Sequence, residues 1–95
     1  MRRAARTDRN QAEIVQALRD AGCSVLPLHA VGGGCPDLLV ARHGVNYLIE
    51  VKDGSKPPSR RTLTPDQIEF FDTWRGEAAV VSNVDAALRV VGVMK

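Results

Sequence analysis

Gly32-Gly33-Gly34-Cys35-Pro36-Asp37-Leu38-Leu39-Val40-Ala41, followed after Arg42-His43-Gly44-Val45 by Tyr47-Leu48-Ile49-Glu50-Val51-Lys52, decides how this chain is read. Both runs are apolar and β-like, and the charges well inside them are Asp37, Glu50 and Lys52. If His43-Gly44 is a two-residue hairpin turn, which glycine favours, Arg42 faces Val45 and Leu39 faces Leu48. The register then sets Asp37 opposite Glu50. Directly opposed residues share a face, and Lys52, two residues beyond Glu50, shares it too. Opposed like charges destabilise a sheet, so something must offset them. Lys52 can do so in part, as a structural Asp–Lys–Glu triad. A divalent cation does it better, because Mg²⁺ takes a few carboxylates and retained waters. Such an ion activates water and shields a phosphoryl oxygen, while Lys52 orients the nucleophile or stabilises developing charge. Val51, between the two charges, points into the core.

The elements around this hairpin follow from local signals. A helix is expected from about Asp8 to Ala21, with Ile14, Ala17, Leu18 and Ala21 on one face and Gly22 as its stop. Ser24 to His29 reads as a strand, placed at an edge by Pro27, which lacks a ladder N–H. Glycines 32–34 read as a mobile turn, and strands are expected over 37–42 and 45–52. Residues 53–62 form a basic, Pro/Ser-rich loop. A second helix opens with Thr64 as N-cap, Pro65 at N1 and Gln67 completing a capping box, with Leu63 and Ile68 as a staple. Its apolar face uses Ile68, Phe71 and Trp74; Trp74, Phe70 and Phe71 are read as core, and Gly76 ends it. Ala78 to Val81 is a short buried strand. Ser82 or Asn83 caps a last helix with Val84, Ala87, Leu88 and Val91 on one face. The order α-β-β-β-α-β-α predicts a small α/β sandwich, helices flanking a mixed sheet.

At 95 residues the chain reads as one domain spanning 1–95, with its core over about 8–91 and a basic arm at 1–7. No apolar run approaches a membrane span and no apolar signal segment follows Met1, so a cytoplasmic protein is expected, in a bacterium or a phage-infected host cell. Cys23 and Cys35 lack paired spacing and read as reduced thiols. The net charge of +2 hides an asymmetry. Residues 1–61 hold ten Lys/Arg against six Asp/Glu, whereas residues 62–95 hold three against five. Arg2, Arg3, Arg6 and Arg9 form one basic cluster, and Lys56, Arg60 and Arg61 another. Both are candidate DNA-phosphate contacts. His29 and His43 have no neighbour at metal-ligand spacing.

Pro36-Asp37 followed by Glu50-Val51-Lys52 resembles the PD-(D/E)xK nuclease superfamily. Gly34-Cys35-Pro36-Asp37-Leu38, Glu50-Val51-Lys52 and Leu63-Thr64-Pro65-Asp66-Gln67 most resemble its virus-type replication-repair (VRR-NUC) nucleases, over about residues 8–91. The resemblance implies a restriction-endonuclease-like core and a Mg²⁺- or Mn²⁺-dependent deoxyribonuclease. Asp37 and Glu50 would be metal ligands together with the main-chain carbonyl of Val51, and Lys52 the catalytic lysine. Glu13 would match the acidic residue that the family's first helix directs at the metal, although a carboxylate there also suits the helix dipole. Gln67 would match a glutamine near the catalytic site, although the capping box also accounts for it. The resemblance further implies 5′-phosphate products and work in replication, repair or recombination, plausibly in a phage. A domain this small has little surface for reading sequence. A homodimer acting on branched DNA, such as a four-way junction or flap, is therefore the preferred expectation. The alternatives are a non-catalytic DNA-binding module and a protein-interaction module on the same fold.

Overall fold

The computed structural model describes residues 10–54 and 62–95. Seven elements follow in the expected order: α1 (Gln11–Asp20), β1 (Ser24–Pro27), β2 (Leu38–Arg42), β3 (Val45–Val51), α2 (Pro65–Thr73), β4 (Glu77–Val81) and α3 (Val84–Val90). The strands form one mixed sheet in the order β1-β2-β3-β4. β1–β2 and β2–β3 pair antiparallel, and β4 is parallel to β3 across the α2 connection.

The β2–β3 register is the one that a two-residue turn demands. Arg42 pairs with Val45 and Leu39 with Leu48. His43 and Gly44 both take positive φ, 51° and 80°, as the hairpin turn that matches strand twist requires. β1 is an edge strand and ends on Pro27, earlier than the expected His29. The Leu28 N–H instead meets the Asp37 carbonyl at 2.7 Å, and the chain turns so that the Val31 N–H reaches the Leu28 carbonyl.

Alternation along the strands splits the sheet into two unlike faces. Val25, Leu38, Val40, Ile49, Val51 and Val81 turn to one side and pack with Ile14 and Leu18 of α1 and Ala87 and Val91 of α3. This is the core. The other side carries Leu39, Leu48 and Glu50.

α2 corrects an expectation. The sequence places Phe70, Phe71 and Trp74 in the core, with Ile68 on the same apolar face, but the helix has no buried residue and none of the four joins the core cluster. Ile68 is 48% exposed and Trp74 47%. Helical spacing identifies an apolar face without supplying anything to cover it. The helix also stops at Thr73, before Gly76, and Trp74 stacks on Phe70 with ring centroids 5.2 Å apart.

Among the described residues no helix is long and apolar enough to cross a membrane.

Candidate active site

The site lies where β2 and β3 leave their hairpin register. Leu38↔Ile49 is the final β2–β3 pair, so the next positions set Asp37 against Glu50 and Pro36 against Val51. Proline has no N–H for the ladder. On the Val51 side the N–H is instead taken by Asp37 Oδ2 at 2.9 Å. A residue's N–H and C=O point to the same side of an extended strand, so the Val51 carbonyl faces the Asp37 side as well. Lys52 turns the other way, with its N–H on the Val81 carbonyl of β4.

Glu50 is 4% exposed. Lys52 Nζ lies 3.5 Å from its Oε2 and Gln67 Nε2 donates to the same oxygen at 3.0 Å. Its other oxygen, Oε1, is buried without a hydrogen-bond partner. Burial, and then the charge of Asp37, push the Glu50 carboxyl up to about 7 against the opposing pull of Lys52. The same two acids, after burial, raise the Cys35 thiol. Negative potential thus concentrates at this strand end. A buried carboxylate oxygen with nothing to bind, beside a second carboxylate and a main-chain carbonyl, is a hard oxygen donor set that suits a divalent cation.

Gln67 joins helix to site. Its Oε1 accepts from the Thr64 N–H at 2.9 Å, closing the capping box with Thr64 Oγ1, which accepts from the Gln67 N–H. The same Oε1 accepts from Lys52 Nζ at 3.0 Å. One amide therefore starts α2, holds the lysine and holds Glu50. The capping reading of Gln67 is met, and the same amide also reaches Lys52 and Glu50.

Gly34 seats this arrangement. Its φ is +82°, and a Cβ there would lie 2.4 Å from the Asp66 carbonyl oxygen in the first turn of α2. Only glycine lets the loop leading to Asp37 touch the helix carrying Gln67. The glycine run was expected as a mobile turn, and nothing in it advertised this contact.

Glu13 stands apart. It is exposed on α1, and among the described residues no three His, Cys, Asp or Glu side chains group closely enough to hold a metal. Asp37 and Glu50 come together without it. His29 and His43 join no such group either. Arg2, Arg3, Arg6, Arg9, Lys56, Arg60 and Arg61 lie outside the described residues.

Asn10 was missed by sequence reasoning. Its Nδ2 donates to the Lys52 carbonyl at 3.3 Å and the Ser82 carbonyl at 3.0 Å, fastening the start of α1 to the ends of β3 and β4. An asparagine just before a helix reads as an N-cap, yet its side chain makes no capping bond.

Comparison with known proteins bears on the family and the fold. The sequence model of a family described as "Archaeal holliday junction resolvase (hjc)" matches residues 2–91. A solved structure, a "VRR_NUC domain", superposes with a TM-score of 0.65 at 26% identity, covering 87% of this chain and 90% of that one. No curated protein matches.

Proposed function

The chain belongs to the archaeal Holliday junction resolvase (Hjc) family, and from that premise we propose that it is a divalent-metal-dependent endonuclease cutting branched DNA. That it is a nuclease for branched DNA follows from the family and from its likeness to a VRR-NUC domain. The finer reading concerns its residues. Asp37, Glu50 and the Val51 carbonyl would hold Mg²⁺ or Mn²⁺. When bound, that ion supplies the acidity that makes water a nucleophile and offsets charge on a phosphoryl oxygen.

The protein's own groups do the rest. Asp37 is held at the strand end by the Val51 N–H, which its Oδ2 accepts. Lys52 presents its ammonium from between Glu50 and Gln67, placed to orient the attacking water or to stabilise charge building on the phosphate. Gln67 holds both partners at fixed spacing and acts as a positioning residue. Arg2, Arg3, Arg6, Arg9, Lys56, Arg60 and Arg61 would track phosphates without reading bases. Two copies about a two-fold axis would present two such sites to the opposed strands of a junction.

The observation that carries this reading is the unpaired, buried Oε1 of Glu50 beside the anchored carboxylate of Asp37. The test is cleavage of labelled four-way junction, flap and linear duplex in Mg²⁺, Mn²⁺ or EDTA, with Lys52→Ala and Asp37→Asn alongside. Junction-selective cutting is expected with metal and none in EDTA, with a loss of about 100-fold or more in either variant. Cutting that survives EDTA, or full activity in Lys52→Ala, would refute the assignment. Light scattering of free protein and junction complex tests the two-fold arrangement.

A further inference from the structure

Three buried side-chain polar atoms among the described residues have no hydrogen-bond partner, and all three are oxygens: Asn10 Oδ1, Gln11 Oε1 and Glu50 Oε1. An unsatisfied buried oxygen is costly, so three of them at related positions call for a shared cause. Two belong to consecutive residues at the start of α1, and the third to the end of β3. Asn10 joins these places physically, since its Nδ2 reaches the carbonyl of Lys52, two residues beyond Glu50. That bond, with the one to Ser82, also fixes which end of the Asn10 amide is oxygen, because the reverse would set oxygen against two carbonyls.

Gln11 is the neighbouring residue and is 7% exposed. It shares the inward face of α1 with Ile14 and Leu18, at the spacing i, i+3, i+7, and all three are buried. Glu13, two residues on, projects from a different side and is exposed. A long polar side chain is thus driven inside at the first turn of α1, which Asn10 fastens to the ends of β3 and β4, with its carboxamide oxygen unused.

We infer that Gln11, and not Glu13, is the residue of α1 that completes the cation site, contributing a neutral carboxamide oxygen beside Asp37 and Glu50. This rests on the metal-dependent reading above. Its chemistry is distinctive. With two carboxylates and a neutral amide, the ligand charge balances a divalent cation without exceeding it. The site therefore holds its ion more weakly than one built on three acids, because oxygen-site affinity follows ligand charge. Hard ions that accept amide oxygen, Mg²⁺ and Mn²⁺, fit this set; thiophilic ions do not.

The test is Mn²⁺ affinity by calorimetry and by the loss of free-ion paramagnetic resonance, in wild type, Gln11→Glu, Gln11→Met and Glu13→Gln, with thermal melts with and without Mn²⁺. Gln11→Glu should bind Mn²⁺ about tenfold tighter or more, since a full charge replaces a dipole. It should melt lower than wild type without metal and gain more from Mn²⁺ than wild type does, because binding to the folded state alone stabilises it. Gln11→Met should bind several-fold more weakly, and Glu13→Gln should stay within about twofold of wild type. A Gln11→Glu protein that folds yet binds no tighter, or a loss of affinity in Glu13→Gln with none in Gln11→Met, overturns the assignment of Gln11 alone. Wild type that binds neither Mn²⁺ nor Mg²⁺ overturns the metal-dependent nuclease reading with it.

Discussion

α1 and α2 are both short amphipathic helices, yet they are held by different forces. α1 drives Ile14 and Leu18, both fully buried, into the core beside α3. α2 buries nothing fully, and what fixes it is polar and local: a capping box, one glutamine amide shared with Lys52 and Glu50, and the close approach of Gly34. The first helix carries stability. The second is seated by the Glu50–Lys52–Gln67 cluster itself, so α2 and the candidate site stand or fall together.

Truncating α1 should have the largest effect. Leu18→Ala removes a fully buried side chain and should cost about 2–5 kcal/mol, read from chemical denaturation. A cost below about 1 kcal/mol would mean that α1 is not the anchor.

The acid pair should come next, through pH. The folded value of Glu50, about 7, lies above its ordinary 4.5, so the protonated form favours the fold. Metal-free stability should be highest below about pH 4.5, fall as pH rises through the interval to about 7, and level off above it, by a total on the order of 3 kcal/mol. Glu50→Gln should flatten that slope. Mn²⁺ should flatten it too, by taking the place of the proton. Melting temperatures between pH 5 and 8 decide the matter, and a rise over that interval would reverse the sign of the argument.

Gly34→Ala, measured against Gly33→Ala, isolates the seat of α2. Both positions have positive φ, but a Cβ on Gly33 meets nothing within 4 Å. Each should cost about 1–2 kcal/mol for the backbone. Gly34→Ala alone should also displace Gln67, lowering nuclease kcat more than KM. Equal loss in the two variants would show that the contact with Asp66 does not matter. The smallest effect is expected at Ile68→Ala, under about 1 kcal/mol because the side chain is half exposed. A cost like that of Leu18→Ala would show that something covers this face in solution.

Much of this was readable in the chain because it depends on neighbours. His43-Gly44 can form the two-residue turn, and that turn sets the register that brings Asp37 and Glu50 together. Thr64-Pro65-Asp66-Gln67 spells its own cap, and Asn83 caps α3 through the Ala86 N–H as expected. The illegible parts depend on distant packing. Nothing local says that the apolar stripe of α2 stays uncovered, that Gly34 faces Asp66, or that α1 turns Gln11 inward and Glu13 out. Two residues along a helix are enough to exchange a solvent-facing side chain for an inward one.

Trp74 is the sole tryptophan of the chain and ends the helix that Gln67 begins. Half exposed and stacked on Phe70, its indole sits at a boundary between water and ring. Any event that reseats the start of α2 also changes the surroundings of this one fluorophore. Emission colour and quenching therefore give an optical readout of the cluster's assembly, without a label and without a cut strand.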